Sequence, residues 1–390
     1  MRTGLERLLD DPKRWLGQAR VGLVANPTAI DRRLSHASNL LHAHADVDLR
    51  LLFGPEHGIR GAAQDMVGVS DASDRETGLP QASLYGNTFE SLSPSPEHLS
   101  QIDVLVFDIQ DVGARYYTYT ATMALCMRAA KASAIKLIIL DRPNPIGGVQ
   151  IEGGGLQPGL ENFCGLYPVP QRHGMTVGEL ARLYNDTFGI GCELDVVPCE
   201  GWRRHAYYDS YDLPWVMPSP NMPTLDSAIV YPGMCLLEGT NLSEGRGTTR
   251  PFELFGAPFV DGSALARELG QHGLPGVVFR SCVIEPAFHK FAGQRCGALQ
   301  LHVVDRLAFN SFRTGLAVLV AVRKLWPDDL AWRTDAYEFR NDVPALDLLT
   351  GNAAVREAID EGEDLETVTE IASTGTEAYD AGRARALLYD

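Results

Sequence analysis

Between residues 20 and 197 the chain carries five short runs rich in leucine and β-branched residues, at 20–25, 47–53, 104–109, 136–140 and 193–197. They are too short for core helices, and they are apolar on successive rather than alternate residues, as a strand covered on both faces requires. Between them lie helical patterns at about 33–45, 120–131 and 176–188, the last opened by Thr176 with Glu179 three residues on, a capping box. Strand and helix in alternation predict an α/β domain, a Rossmann-like doubly wound parallel sheet. Crossovers bring every strand end to one edge, where open α/β sheets bind their ligands. The residues delivered there are Asn26-Pro27, then Gly54-Pro55-Glu56-His57-Gly58-Ile59-Arg60-Gly61, Asp108 through Tyr117, and Asp141-Arg142-Pro143-Asn144-Pro145.

From about 151 to 253 the composition turns to proline, glycine, tyrosine and tryptophan, and the stretch Trp215 to Pro223 reads as a link. Beyond it the pattern predicts a helix at 262–270, strands at 277–284 and 298–304, a helix at 312–325, and closing helices within 360–370 and 381–388. The expected organisation is a Rossmann-like catalytic domain over 1–225 and a smaller α+β domain over 226–390 that completes a cleft. A net charge of −16 argues against nucleic acid or an anionic membrane as a partner, since both need a basic face. The first residues alternate charge with leucine, unlike a signal peptide, and no run approaches the ~18 apolar residues of a membrane span, so a cytoplasmic location is expected. The seven cysteines are scattered without a Cys-x-x-Cys pair and read as reduced, buried thiols. No feature specifies an oligomer.

A dinucleotide site needs Gly-x-Gly-x-x-Gly after the first strand, and here that turn reads Ala25-Asn26-Pro27-Thr28-Ala29. No Walker loop occurs, so no cofactor is expected. The carboxylates at the strand ends could hold a metal, but no histidine pair has helical ligand spacing, and no metal is expected. A Gly-x-Ser-x-Gly nucleophile elbow is also missing. What remains is acid–base work by carboxylates, as in glycoside hydrolysis. Glu56 is the first candidate, held on a tight Gly-Pro turn after a buried strand. Burial there would favour its protonated form, while His57 and Arg60 would oppose it. Its bland alternative is to cap a turn or pair with Arg60. Asp108, Asp111 and Glu244 are candidates for a second carboxylate, with Asp111 also fitting a cap for the helix near Tyr117. Arg115 could clamp a substrate carboxylate or simply pair with Asp111. Tyr116, Tyr117 and Tyr119 could stack on a sugar or fill the core. Asn26, His57, Arg60, Asn144, His173, Asn221, Asn241 and Arg246 complete the set of expected substrate contacts; the loop from Glu238 to Glu253, holding several of these residues, could close over an anionic sugar.

Six segments in this order, Gly54 to Gly61, Asp108 to Tyr119, Asp141 to Ile146, His173 to Thr176, Ser219 to Asn221 and Glu238 to Thr248, resemble those of the exo-β-N-acetylmuramidases, a family of glycoside hydrolases. The resemblance spans about 20–260. It implies a Rossmann-like domain that binds no nucleotide, a smaller C-terminal domain, and a cleft between them. It also implies removal of β-linked N-acetylmuramic acid from the non-reducing end of peptidoglycan fragments, with Glu56 as catalytic acid and a muropeptide or disaccharide as substrate. Ile59 departs from the family at a position that is often aromatic. The substrate's lactyl carboxylate calls for a cation, and Arg60, Arg115, Arg172 and Arg246 lie within or beside the motifs. The alternatives are a noncatalytic muramyl-sugar or peptide binder and a metal-dependent ester or amide hydrolase.

Overall fold

The computed structural model describes residues 1–56, 58–60, 72–86 and 88–390. Seven strands form the larger sheet: β1 (Arg20–Ala25), β2 (Asp48–Gly54), β3 (Ala72–Ser73), β4 (Pro80–Ser83), β5 (Val104–Asp108), β6 (Lys136–Leu140) and β7 (Leu194–Val197), in the order β3-β4-β2-β1-β5-β6-β7. All pairings are parallel except β3 with β4. The six parallel strands therefore run in the doubly wound order of dinucleotide-binding folds. Successive residues of each central strand feed opposite layers: Val21, Leu23, Val104, Val106, Ile138 and Leu140 pack on one side, and Val24, Leu105, Phe107, Leu137 and Ile139 on the other. This is why those runs are apolar throughout.

The smaller sheet is antiparallel, β8 (Leu254–Ala257), β9 (Val277–Ile284) and β10 (Cys296–Val303) in the order β8-β10-β9, with helix Ser311–Leu325 nearby. The apolar layer on the second face of the large sheet runs on through this half as one core. Buried polar groups also cross the seam. Glu152 Oε2 accepts from the Phe312 amide at 2.8 Å, Arg115 Nη2 donates to Leu349 O at 2.7 Å, and Gln171 Nε2 donates to Thr350 O at 2.7 Å.

The helix expected at 33–45 is shorter, Ala37–Ala43, because the His36 side chain accepts from the Ser38 amide and caps it there. The acidic stretch expected as one closing helix is two, Ala353–Glu361 and Leu365–Ala372, split at Gly362, whose φ of +80° ends the first. Strands β3, β4 and β8, of two to four residues, escape the periodicity argument. Among the described residues no helix is long and apolar enough to cross a membrane.

Candidate active site

The crevice outside β1 and β5, where the strand order reverses, is filled by the protein itself. Arg142 Nε and Nη2 meet the Asp108 carboxylate at 2.5 and 2.9 Å, and both side chains are buried. Beside them, Thr28 Oγ1 donates to Asn26 Oδ1 at 2.5 Å and accepts from the Gln110 amide at 2.9 Å. Asp108 and Asn26, expected in the site, are thus parts of the fold.

The same correction applies to several other expected contacts. Asp111 does not cap the following helix, whose N-cap is Thr118; its Oδ2 accepts from the Gly113 amide at 2.7 Å and meets His173 Nε2 at 3.0 Å. The Met175 amide donates to His173 Nδ1, which assigns the ring proton to Nε2. Arg115 is buried and donates to the carbonyls of Gly154, Gly155, Val169 and Leu349, so no carboxylate clamp is open to it. Asn144 bridges Met175 O and the Ile146 amide, and Asn241 ties down Asp329 O and the Ala331 amide. Arg60 Nη2 pairs with Asp74 at 3.0 Å, and Arg172 Nη1 with Glu152 at 2.6 Å. His57 and Gly61 lie outside the described residues.

Glu56, Tyr116, Asn221 and Arg246 do come together. They line a narrow pocket with a cavity volume of about 40 Å³, with Tyr117, Thr118, Tyr119, Ser219, Tyr231, Glu238, Phe252, Tyr337 and Glu338 among its walls. The pocket joins the carboxyl end of β2 to loops of the smaller domain. Glu56 is 5 % exposed, and its Oε2 accepts from Thr118 Oγ1 at 2.9 Å. Thr118 stands at the N-cap of helix Tyr119–Ala132, where a hydroxyl ordinarily accepts from first-turn amides; here it makes no such bond and serves Glu56.

The opposite chemistry comes from the loop after helix Leu225–Met234. Gly245 and Gly247 flank Arg246 with φ of +82° and +83°, and a Cβ on either would lie 2.3–2.4 Å from a carbonyl oxygen, Leu254 O or Phe288 O. Only glycines allow this crossing, which sets the Arg246 guanidinium 5.2 Å over the Phe252 ring. Arg246 Nη1 meets Glu238 Oε1 at 2.7 Å and Glu244 Oε1 at 3.0 Å, and Tyr337 donates to Glu238 Oε2 at 2.8 Å. Glu244 lies behind the pocket wall. Against the burial that would raise its pKa, Lys290 at 3.0 Å, His289 and Arg246 hold it well below the usual carboxylate range.

Glu238, Tyr337 and Glu338 were not among the expected site residues. Glu338 and Phe339 are the central residues of a two-residue turn closed by reciprocal bonds between Tyr337 and Arg340, at 2.8 and 2.9 Å, with φ of +45° and +66°. Such turns favour Asn-Gly, so Glu-Phe gives no turn signal in sequence and carries backbone strain. The strained turn delivers the Glu338 carboxyl to the pocket and packs Phe339 on Tyr85 and Phe163.

A larger cavity, about 670 Å³, lies between helix Ser311–Leu325 and the stretch 359–366. Its Arg313, Arg323 and Lys324 are paired with Glu366, Asp360 and Glu268, and none of the motif residues lines it. The chemistry concentrates in the smaller pocket. Among the described residues no three His, Cys, Asp or Glu side chains converge as metal ligands would.

Comparison with known proteins adds to this geometry. The N-terminal model of exo-beta-N-acetylmuramidase NamZ matches residues 21–226, and the C-terminal model matches 229–389. The peptidoglycan beta-N-acetylmuramidase NamZ of Bacillus subtilis (strain 168) is 44% identical over 389 residues, covering 100% of this chain and 91% of that one. Two crystal structures of DUF1343 family proteins from Bacteroides fragilis superpose over 100% of this chain and 99% of theirs, with TM-scores of 0.89 and 0.77 at 35% and 28% identity.

Proposed function

The chain belongs to the exo-β-N-acetylmuramidase family, and from that premise we propose that it is a glycoside hydrolase releasing N-acetylmuramic acid from the non-reducing ends of peptidoglycan fragments, with Glu56 as proton donor. The observation that carries the assignment to Glu56 is its position: a buried carboxyl at a sheet edge, in a pocket walled by aromatic rings suited to a sugar's faces. Glu56 protonates the glycosidic oxygen as the bond to the anomeric carbon lengthens. Glu238, oriented by Arg246 and Tyr337, serves as the second carboxylate beside the developing oxocarbenium charge, and a water molecule adds to the anomeric carbon, its released proton returning the Glu56 carboxyl to its starting state. Arg246, itself paired with Glu238 and Glu244, is the only cation among the described residues lining the pocket, and on that placement it is assigned the lactyl carboxylate. In this reading residues 1–225 supply the acid and 226–390 complete the cleft, and cell-wall recycling is the setting.

The test uses para-nitrophenyl β-glycosides of N-acetylmuramic acid and of N-acetylglucosamine, which differ in the lactyl group. The wild type is expected to release nitrophenol from the first alone, and on a disaccharide of N-acetylmuramic acid β-linked to N-acetylglucosamine, whose alkoxide leaving group needs a proton as nitrophenolate does not, Glu56→Gln is expected to lose about 10²–10⁴-fold in turnover without a change in melting temperature. Near-normal turnover by Glu56→Gln would sink the acid assignment, and equal release from both substrates would remove the reading of the lactyl group.

A further inference from the structure

Tyr117 lies in the pocket and has no part in the reaction as written above. Its ring is fixed edge-to-face against Tyr119, at 5.2 Å between centroids, and against Tyr231, at 5.6 Å, and the residue is 8 % exposed. Three other phenols of that wall have protein acceptors. Tyr116 donates to Pro232 O, Tyr119 to Pro218 O at 2.7 Å, and Tyr337 to Glu238 at 2.8 Å. The Tyr117 hydroxyl, equally buried, has no partner at hydrogen-bond geometry among the described residues; the Ser219 hydroxyl is near enough to ease its ionisation but does not reach bonding geometry.

A buried hydroxyl without a partner is costly, and phenylalanine would make the same ring contacts without that cost. The hydroxyl therefore answers to a group that arrives with the ligand. Burial holds this phenol well above its usual range, so it meets the ligand as a neutral donor.

Resting on the glycosidase reading, we infer that Tyr117 is a substrate-binding residue whose hydroxyl donates a hydrogen bond to a neutral oxygen of the sugar held beside Glu56. A neutral donor suits a hydroxyl, ether or amide oxygen, and the anionic lactyl group falls to Arg246.

Tyr117→Phe separates this role from a structural one, because the two predict opposite changes in stability. Removing an unpaired buried hydroxyl leaves the melting temperature of the substrate-free protein unchanged or raises it, while kcat/KM on the para-nitrophenyl N-acetylmuramic acid glycoside falls about tenfold. A kcat/KM within about twofold of wild type would overturn the inference. So would a drop in melting temperature alongside the lost activity, which would make the hydroxyl a structural group. Failure of the wild type to release nitrophenol would remove the glycosidase reading and this inference together, an outcome distinct from a wild-type-like Tyr117→Phe.

Discussion

Asp108 and Glu56 each stand at or just beyond the carboxyl end of a buried parallel strand of the same sheet, and their surroundings differ in kind. Asp108 is met by two nitrogens of Arg142 in a crevice packed with protein, and Asp111 Oδ2 and Asp141 likewise accept from donors of the fold, while Asp111 Oδ1, Asn26 Nδ2 and Gln110 Oε1 have no partner there among the described residues. Glu56 faces an open pocket whose walls break local rules. The N-cap threonine turns away from its helix, a phenol is buried without an acceptor, and a hairpin turn places Glu and Phe where glycine belongs. A charged residue at the ligand edge of such a sheet is therefore not a functional group by position alone.

The comparison breaks most sharply at Asp108. Asp108→Asn leaves Arg142 buried without its counter-charge and is expected to cost about 3–5 kcal/mol, read as a lower melting temperature or denaturant midpoint, with kcat of the folded fraction unchanged. A stable Asp108→Asn protein with lost turnover would return Asp108 to the catalytic site. A smaller effect belongs to Asp141, which burial pushes up to about 7 despite hydrogen bonds from Tyr389, Gly178 and Thr176. Its folded pKa lies above the ordinary 3.8, so the stability it contributes is complete at low pH and is lost as pH rises from about 4 to about 7. Measured by denaturant titration, Asp141→Asn should gain on the wild type by about 4 kcal/mol across that window, and a constant difference would show that Asp141 does not titrate there. The smallest effect sharpens the pocket side. Thr118→Val keeps the side chain's shape but removes the donor to Glu56, and kcat should fall about tenfold with little change in melting temperature. An unaltered kcat would mean that Glu56 is aimed by other groups.

The central strands were legible because both faces of the sheet are covered, which forces unbroken apolar runs at 20–25, 104–109 and 136–140. The capping box at Thr176 and Glu179 was legible because its partners are three residues apart. Half of the pocket was not. Arg115 bonds Leu349 O across 234 positions, and nothing local to Arg115 distinguishes that fate from a carboxylate clamp. Tyr337 and Glu338 reach Glu238 and the pocket from a turn whose residues carry no turn signature. Glu56 and Arg246 were readable because each sits in a glycine-marked loop, and glycines report close backbone approach even where the partner is unknown.

The polar bonds across the seam bear on how the enzyme moves. Opening the two halves like a jaw would strip Arg115 of Leu349 O and separate Glu152 from the Phe312 amide, leaving each held only by partners on its own side of the seam, the carbonyls of Gly154, Gly155 and Val169 for Arg115 and Arg172 for Glu152. Each such bond opposes opening of the seam by about 1–3 kcal/mol. The room beside Glu56, about 40 Å³, is less than a sugar ring fills, so the pocket walls must part for a sugar to reach Glu56, and the bonds across the seam limit which of them can.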